Sequence, residues 1–287
     1  MSRFIALLSD FGDRDTYVGV MKGVIAGIAP EARLLDVTNN VDPQNVRQGA
    51  FLLGNVYGYY PEGTIFLVVI DPGVGSMRRP IAVRTRSYMF VAPDNGVLSY
   101  ALDVLGRYEA VEINNADYWL PRVSRTFHGR DIFAPVAAHL ANGVALSDLG
   151  DPAGQIVHLP KPQMVIDGQR VVGEVMHVDH FGNISTSIGY LDWESEERLT
   201  LKPAFEEDAP GVNVGAAGST VQIHSETIYA LRASYSEALR GDFVALVGSS
   251  GYLEIAVNQG NAAERLEVMV GDRVELEIGD PNAAVSD

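Results

Sequence analysis

The sequence contains no cysteine. That absence excludes disulfide frameworks, thiolate zinc sites, iron–sulfur ligation and cysteine nucleophiles. Lysine is almost as scarce: Lys22, Lys161 and Lys202 are the full set, and no basic run occurs. Lys plus Arg number 21 against 37 Asp plus Glu, a formal net charge of −16. A nucleic-acid surface needs clustered cations and is excluded. No stretch of about 18 apolar residues exists, so no membrane span is expected. The opening run Phe4–Leu8 stops before Asp10 and is too short for the apolar region of a signal peptide, which points to a cytoplasmic protein. There is no Walker A pattern, no HExxH and no EF-hand spacing. Gly73-Val74-Gly75 does not complete the dinucleotide fingerprint, because Arg78 stands where the third glycine belongs. No metal and no cofactor are expected.

What is present is ordinary globular material. Hydrophobic residues make up 47% and charged residues 20% of 287, which is ample for a core. At about 150 residues per domain, the length suggests two domains. The first half alternates strand and helix signals: Phe4–Leu8, a helix over Tyr17–Ile28, Leu34–Val37, a helical period over Asn45–Tyr60, and the apolar strand Thr64–Ile70. Uninterrupted apolar strands separated by helices predict a mostly parallel sheet covered on both faces. After Leu159-Pro160-Lys161-Pro162 the texture changes. Val171–Val178, Ile184–Ile188, Ser219–Ile223, Phe243–Val247 and Leu266–Ile278 read as strands between Gly-rich turns. The expected fold is an α/β N-terminal domain over residues 1–160 and a smaller C-terminal β-barrel domain over residues 168–287. Pro203–Gly218 reads as an exposed loop and Asp280–Asp287 as a frayed tail.

Ligands of open α/β sheets sit beyond the carboxyl ends of the strands. Two acidic loops lie there. One is Asp10-Phe11-Gly12-Asp13-Arg14-Asp15, either a ribose-gripping site or a helix cap by Asp15 beside solvated carboxylates. The other is Asp71-Pro72-Gly73-Val74-Gly75-Ser76-Met77-Arg78-Arg79, either a site built from a carboxylate, a close backbone approach and an arginine, or a tight turn with a surface ion pair. Phe127-His128-Gly129-Arg130-Asp131 puts a histidine just before a helix expected to start near Arg130 or Asp131. There it could serve as an acid, base or orienting group, or as a buried cap. Asp179-His180-Phe181-Gly182-Asn183 and Gly248-Ser249-Ser250-Gly251-Tyr252-Leu253-Glu254 are turns between strands; the second is not a nucleophile elbow.

Taken together, these five segments resemble the S-adenosylmethionine hydrolase family, the SAM hydroxide adenosyltransferases, which are relatives of the fluorinase and chlorinase. The resemblance spans essentially the whole chain, with Leu8-Ser9-Asp10-Phe11-Gly12, Tyr17-Val18-Gly19 and Met21-Lys22-Gly23 at its start. It implies a homotrimer with sites between the N-domain of one subunit and the C-domain of the next. It implies a catalytic triad of Asp71, Arg78 and His128, with Arg79 as the competing arginine. It implies Asp10 on the ribose hydroxyls, Asp15 and Asp179 on the methionine ammonium with Ser249 and Ser250 nearby, and Phe181 and Asn183 beside adenine or its sugar. The backbone from Val257 to Gln259 is the implied reader of the adenine edge. The halogenases carry Tyr at the position of Asp71 and Ser at that of Gly129, so this chain sides with the water-using branch. It also departs from them with Ser250 for an Arg and Gln44 for a stacking Trp. The implied activity is hydrolysis of S-adenosyl-L-methionine to adenosine and methionine, without a metal. A non-catalytic S-adenosylmethionine or adenosine sensor and a halide-using synthase are the alternatives.

Overall fold

The computed structural model describes residues 4–204 and 210–280. The chain divides into two compact units that meet between Pro160 and Lys161.

The first unit contains β1 (Phe4–Ser9), α1 (Tyr17–Ile28), β2 (Arg33–Thr38), α2 (Val46–Val56), β3 (Ile65–Val69), β4 (Pro80–Arg84), β5 (Met89–Pro93), α3 (Ser99–Leu105), β6 (Glu109–Glu112) and α4 (Ala134–Ala141). Its sheet runs β2-β1-β3-β5-β4-β6. The β2-β1-β3-β5 side is parallel, but β4 runs against both β5 and β6, so the sheet is mixed. The cause is the four-residue link 85–88, which Thr85 closes through its N–H to the Tyr88 carbonyl (2.9 Å). A link that short makes a hairpin; a parallel crossover needs a dozen residues or more.

Side chains alternate across a strand. Ile5, Leu7, Ile65, Leu67 and Val69 therefore share one core with Met21 and Ile25 of α1 and Val136 and Ala137 of α4. Ala6, Leu8, Phe66, Val68 and Ile70 share another with Leu53 of α2 and Leu102 of α3. Burial on both faces is why these strands read as continuous apolar runs. The helical period seen over Asn45–Tyr60 resolves into α2, capped by the Asn45 side chain accepting from Gln48 N–H (3.0 Å), and a tight turn at Tyr57–Tyr59. Asp15 does not cap α1; Thr16 holds that position, without a side-chain bond.

The second unit is built on antiparallel pairs, except that the short β14 runs parallel to β15. Its strands are β7 (Met164–Asp167), β8 (Arg170–Val178), β9 (Ile184–Gly189), β10 (Leu191–Trp193), β11 (Arg198–Leu201), β12 (Val212–Ile223), β13 (Glu226–Tyr229), β14 (Leu231–Arg232), β15 (Phe243–Val247), β16 (Tyr252–Val257) and β17 (Arg273–Gly279), with α5 (Ala262–Leu266) before the last. The path β10-β11-β12-β17-β8-β9-β16-β15-β14 curls around the core of Val171, Ile184, Leu199, Val221, Ile255 and Leu276. Among the described residues it is a half-barrel with two end strands, not a closed ring of hydrogen-bonded strands.

Two sequence expectations need correction. The segment Leu266–Ile278 is the end of α5, a connection, and then β17. Of Pro203–Gly218, residues from Val212 onward belong to β12, paired with β11 and β17; the register slips between Gly215 and Thr220. Residues 205–209 and 281–287, the latter holding most of the expected tail, lie outside the described residues.

Leu67 is fully buried at the centre of the first core. Leu67→Ala is expected to lower the unfolding free energy by about 2–5 kcal/mol, read by urea denaturation.

Candidate active site

The site begins where β3 ends. Asn95 donates its amide to the Ile70 carbonyl (2.8 Å) and so fixes the residue before Asp71. From Asp71 the chain turns on itself: Val74 N–H reaches the Asp71 carbonyl (3.2 Å), and Ser76 N–H reaches that of Gly73 (3.0 Å). Gly75 sits at φ +77, and a β-carbon there would lie 2.3 Å from the Arg125 carbonyl oxygen. Only glycine lets the two loops lie this close.

The fold-back returns Arg78 to Asp71. Its Nε lies 2.9 and 3.0 Å from the two carboxylate oxygens, and its Nη2 bonds Oδ2 as well. The two side chains are only 9% and 7% exposed. The Arg78 guanidinium also lies over the Phe133 ring, 5.2 Å from its centroid. From the same Nη2, Arg78 donates to Nδ1 of His128 (2.7 Å). A guanidinium has no acceptor, so Nδ1 must offer its lone pair and the imidazole proton sits on Nε2. Burial and the Arg78 charge push the His128 pKa down, against weaker upward pulls from Asp71 and Asp131.

His128 precedes a π-helical turn, Gly129–Phe133, and α4 follows only at Ala134. The helix expected to begin near Arg130 or Asp131 is therefore widened at its start. Asp10, Gln44, Asp71, Thr126, Phe127 and His128 line a cleft of about 280 Å³. Asp10 accepts the Gln44 N–H on Oδ2 (2.7 Å), with Gln44 at φ +66. Asp15 is exposed on the approach to α1 and does not line this cleft.

Neighbouring arginines have separate partners. Arg79 binds Asp94 through Nε (3.0 Å) and Nη2, and donates to the carbonyls of Ala153 and Gln155. Asp94 in turn accepts the Val157 N–H (2.8 Å). Arg79 is thus tied to the frame, and Arg78 is the arginine beside Asp71 and His128.

The remaining sequence-derived residues lie in the second unit. Asp179 accepts N–H groups of Phe181 and Asn183 on Oδ1 (2.8 Å each) and the Asn183 amide on Oδ2 (3.0 Å). Its carboxylate therefore shapes its own turn, which presents Phe181 with 72% exposure. Gly182, at φ +83, packs where any β-carbon would strike the Asn261 side chain. Ser249 and Ser250 lie in the turn between β15 and β16, closed by Gly251 N–H on the Gly248 carbonyl (2.9 Å). Val257 ends β16, and Gln259 stands exposed at φ +57 just beyond. Sequence reasoning gave no role to Glu254 and did not mention Tyr235. The Tyr235 hydroxyl donates to Glu254 (2.5 Å), and burial with the nearby Asp179 charge pushes the Glu254 carboxyl up. No group of three His, Asp or Glu side chains that could hold a metal occurs among the described residues. No helix among them is long and apolar enough to cross a membrane.

Residues 5–150 match the model of the SAM hydroxide adenosyltransferase N-terminal domain, and residues 173–275 that of its C-terminal domain. The chain belongs to this family. A Salinispora arenicola protein named (R)-S-adenosyl-L-methionine hydrolase is 37% identical, over 96% of this chain and 98% of its own. A Thermus thermophilus protein of the same name is 36% identical over 96% and 99%. An Actinoplanes fluorinase is more distant, at 27% identity over 93% of this chain and 95% of its own. The crystal structure of an uncharacterized conserved protein from Thermotoga maritima superposes with a TM-score of 0.82, at 36% identity, over 95% of this chain and 99% of that one.

His128 has a depressed pKa in the folded protein. Below its unfolded value of about 6.5, the unfolded state binds more protons at this residue, so stability falls as pH drops. Urea unfolding between about pH 7.5 and 5.5 should therefore show a flatter pH dependence for His128→Asn than for the parent protein.

Proposed function

We propose that this protein hydrolyses S-adenosyl-L-methionine to adenosine and L-methionine. The observation that carries the proposal is the hydrogen-bonded set in which the nearly buried Asp71–Arg78 pair holds a half-buried His128, with Asp71 and His128 lining a cleft shared with Asp10. Full-length relatives named (R)-S-adenosyl-L-methionine hydrolase support it.

The chemistry suits the residues. The sulfonium leaves as neutral methionine, so departure needs no acid. The scarce component is the nucleophile. Arg78, the one cation of the set, favours a hydroxide over water at the C5′ side of the cleft, as preorganised donors stabilise localised negative charge. With Nδ1 committed to Arg78, His128 meets that oxygen through Nε2–H, as a donor that aims a lone pair at C5′. The water's proton leaves to solvent, the O–C5′ bond forms, and the C5′–S pair returns to sulfur. Positioning of this kind supplies about 7–11 kcal/mol of a barrier.

Asp10 keeps Oδ1 for the ribose hydroxyls while Oδ2 holds Gln44. By resemblance, Asp15 and Asp179 offer negative charge to the methionine ammonium with Ser249 and Ser250, and Phe181, Asn183 and the Val257–Gln259 backbone take the adenine side. A homotrimer with sites shared between subunits, and a cytoplasmic setting where this substrate is made, complete the proposal. The net charge of −16 suits a cationic substrate.

The decisive measurement is incubation with S-adenosylmethionine in oxygen-18 water, with and without chloride, read by mass spectrometry. Adenosine labelled at the 5′ oxygen, equal to methionine and indifferent to chloride, is expected. Asp71→Asn and His128→Ala should each lower kcat by about 10²–10³-fold, the scale of losing one preorganised electrostatic group. A chloride-dependent 5′-chloro nucleoside would make the protein a halide-using synthase. Unchanged bound substrate would make it a sensor.

A further inference from the structure

Asp131 has a place in this site that the reaction chemistry above does not use. Its carboxylate is fully buried. Such a charge is tolerated only where donors are aimed at it. Three are: Ser124 N–H on Oδ2 (2.7 Å), Arg130 Nε on Oδ1 (2.6 Å) and Arg130 Nη2 on Oδ2 (3.0 Å). The Asp131 backbone carbonyl takes a fourth, from Leu120 N–H (2.9 Å). Both Leu120 and Ser124 thus end on one residue, and the segment 120–128 is closed as a loop.

That loop delivers three residues to the cleft. Ser124 Oγ accepts Thr126 N–H (3.1 Å) and bonds its hydroxyl (3.0 Å). The Arg130 guanidinium covers the Phe127 ring at 5.2 Å, and that ring meets Phe11 and Tyr17 edge-on. His128 comes last, at the mouth of the π-turn that contains Asp131. Turns of this kind recur at functional sites.

The geometry points to Asp131 as a positioning residue: it locks the 120–128 loop so that His128 Nδ1 meets Arg78, and its charge balances that arginine across the imidazole. The inference rests on the hydrolase reading for its catalytic meaning and its kinetic readout, but not for its titration readout. His128 is faced by Arg78 and Asp71 from the 71–79 loop and by Asp131 from its own turn; Asp10 lines the same cleft.

The experiment compares the full-length parent, Asp131→Asn and Arg130→Gln. One readout is nitrogen-15 NMR titration of the six histidines, with His128 assigned by His128→Asn. The other is kcat and KM for S-adenosylmethionine. Asp131→Asn removes the balancing charge, so His128 should titrate at lower pH. Arg130→Gln keeps the carboxylate and removes its partner, so His128 should titrate at higher pH. General loosening of the loop would not produce shifts of opposite sign. In Asp131→Asn, kcat should fall by about ten- to a hundredfold with KM within about twofold. If Asp131→Asn does not fold, the upward shift in the more exposed Arg130→Gln carries the test alone. Absence of both shifts overturns the inference, as does unchanged kcat in folded Asp131→Asn. Both shifts in the variants, with a parent protein that makes no adenosine, would overturn the hydrolase reading and leave the positioning geometry standing.

Discussion

The site depends on one buried ion pair. Removing a carboxylate and a guanidinium from water costs several kcal/mol each, and only close geometry returns it. Asp71 and Arg78 meet that demand with Nε on both carboxylate oxygens and Nη2 on one of them. A lone charge left in such a place costs about 3–5 kcal/mol, so neither partner is independent of the other. The pair then dictates the histidine. Because Arg78 can only donate, His128 must present an unprotonated Nδ1, and its remaining N–H has a fixed address. Much of the loop architecture around it serves that alignment: the Asn95 amide on Ile70, the approach of Gly75 to Arg125, and the wide first turn before α4.

The legible parts of this molecule were those whose signals are local. Helix α1 was readable from Tyr17 to Ile28 because its apolar positions repeat at helical spacing. β1 and β3 were readable because both faces are buried. Asp71, His128 and Asp10 were each legible as a residue at a strand end or helix mouth, with a structural alternative open; the family resemblance joined them, and the fold brings all three to one cleft. Arg78 and Arg79 could not be separated that way. They are identical neighbours, and what distinguishes them lies far along the chain, at His128 on one side and at Asp94, Ala153 and Gln155 on the other. The start of β12 was hidden because Gly215, Ala216, Ala217 and Gly218 lack the bulky alternation that marks a strand, and pairing with β11 and β17 supplies what propensity does not. Asp131 was visible as a letter but not as a role, since two of its donors, Leu120 and Ser124, act through backbone N–H groups that any residue but proline provides.

The second unit shows a different use of a carboxylate. Asp179 spends three of its acceptor sites on its own turn, so what it offers outward is charge and the remaining site on Oδ2. The turn in exchange is stiff. It is bolted to α5 by Ala263 N–H on the Gly182 carbonyl (3.0 Å), and Phe181 is held out from it with little backbone freedom. Binding at a turn braced this way would remove less backbone entropy than binding at an unbraced loop.

The alternation of faces along β3 has a consequence for how such a chain can change length. Val69 lies against the α1 and α4 side, with its side chain near Gly129, and Ile70 lies against α2 near Gly49. Asp71 follows on the Val69 side, where His128 is. Insertion of one residue within β3 would therefore carry the carboxylate to the far face of the sheet, while insertion of two would return it. The strand counts in pairs, and whether Asp71 stands on the face where Arg78 and His128 meet is a matter of odd and even numbers.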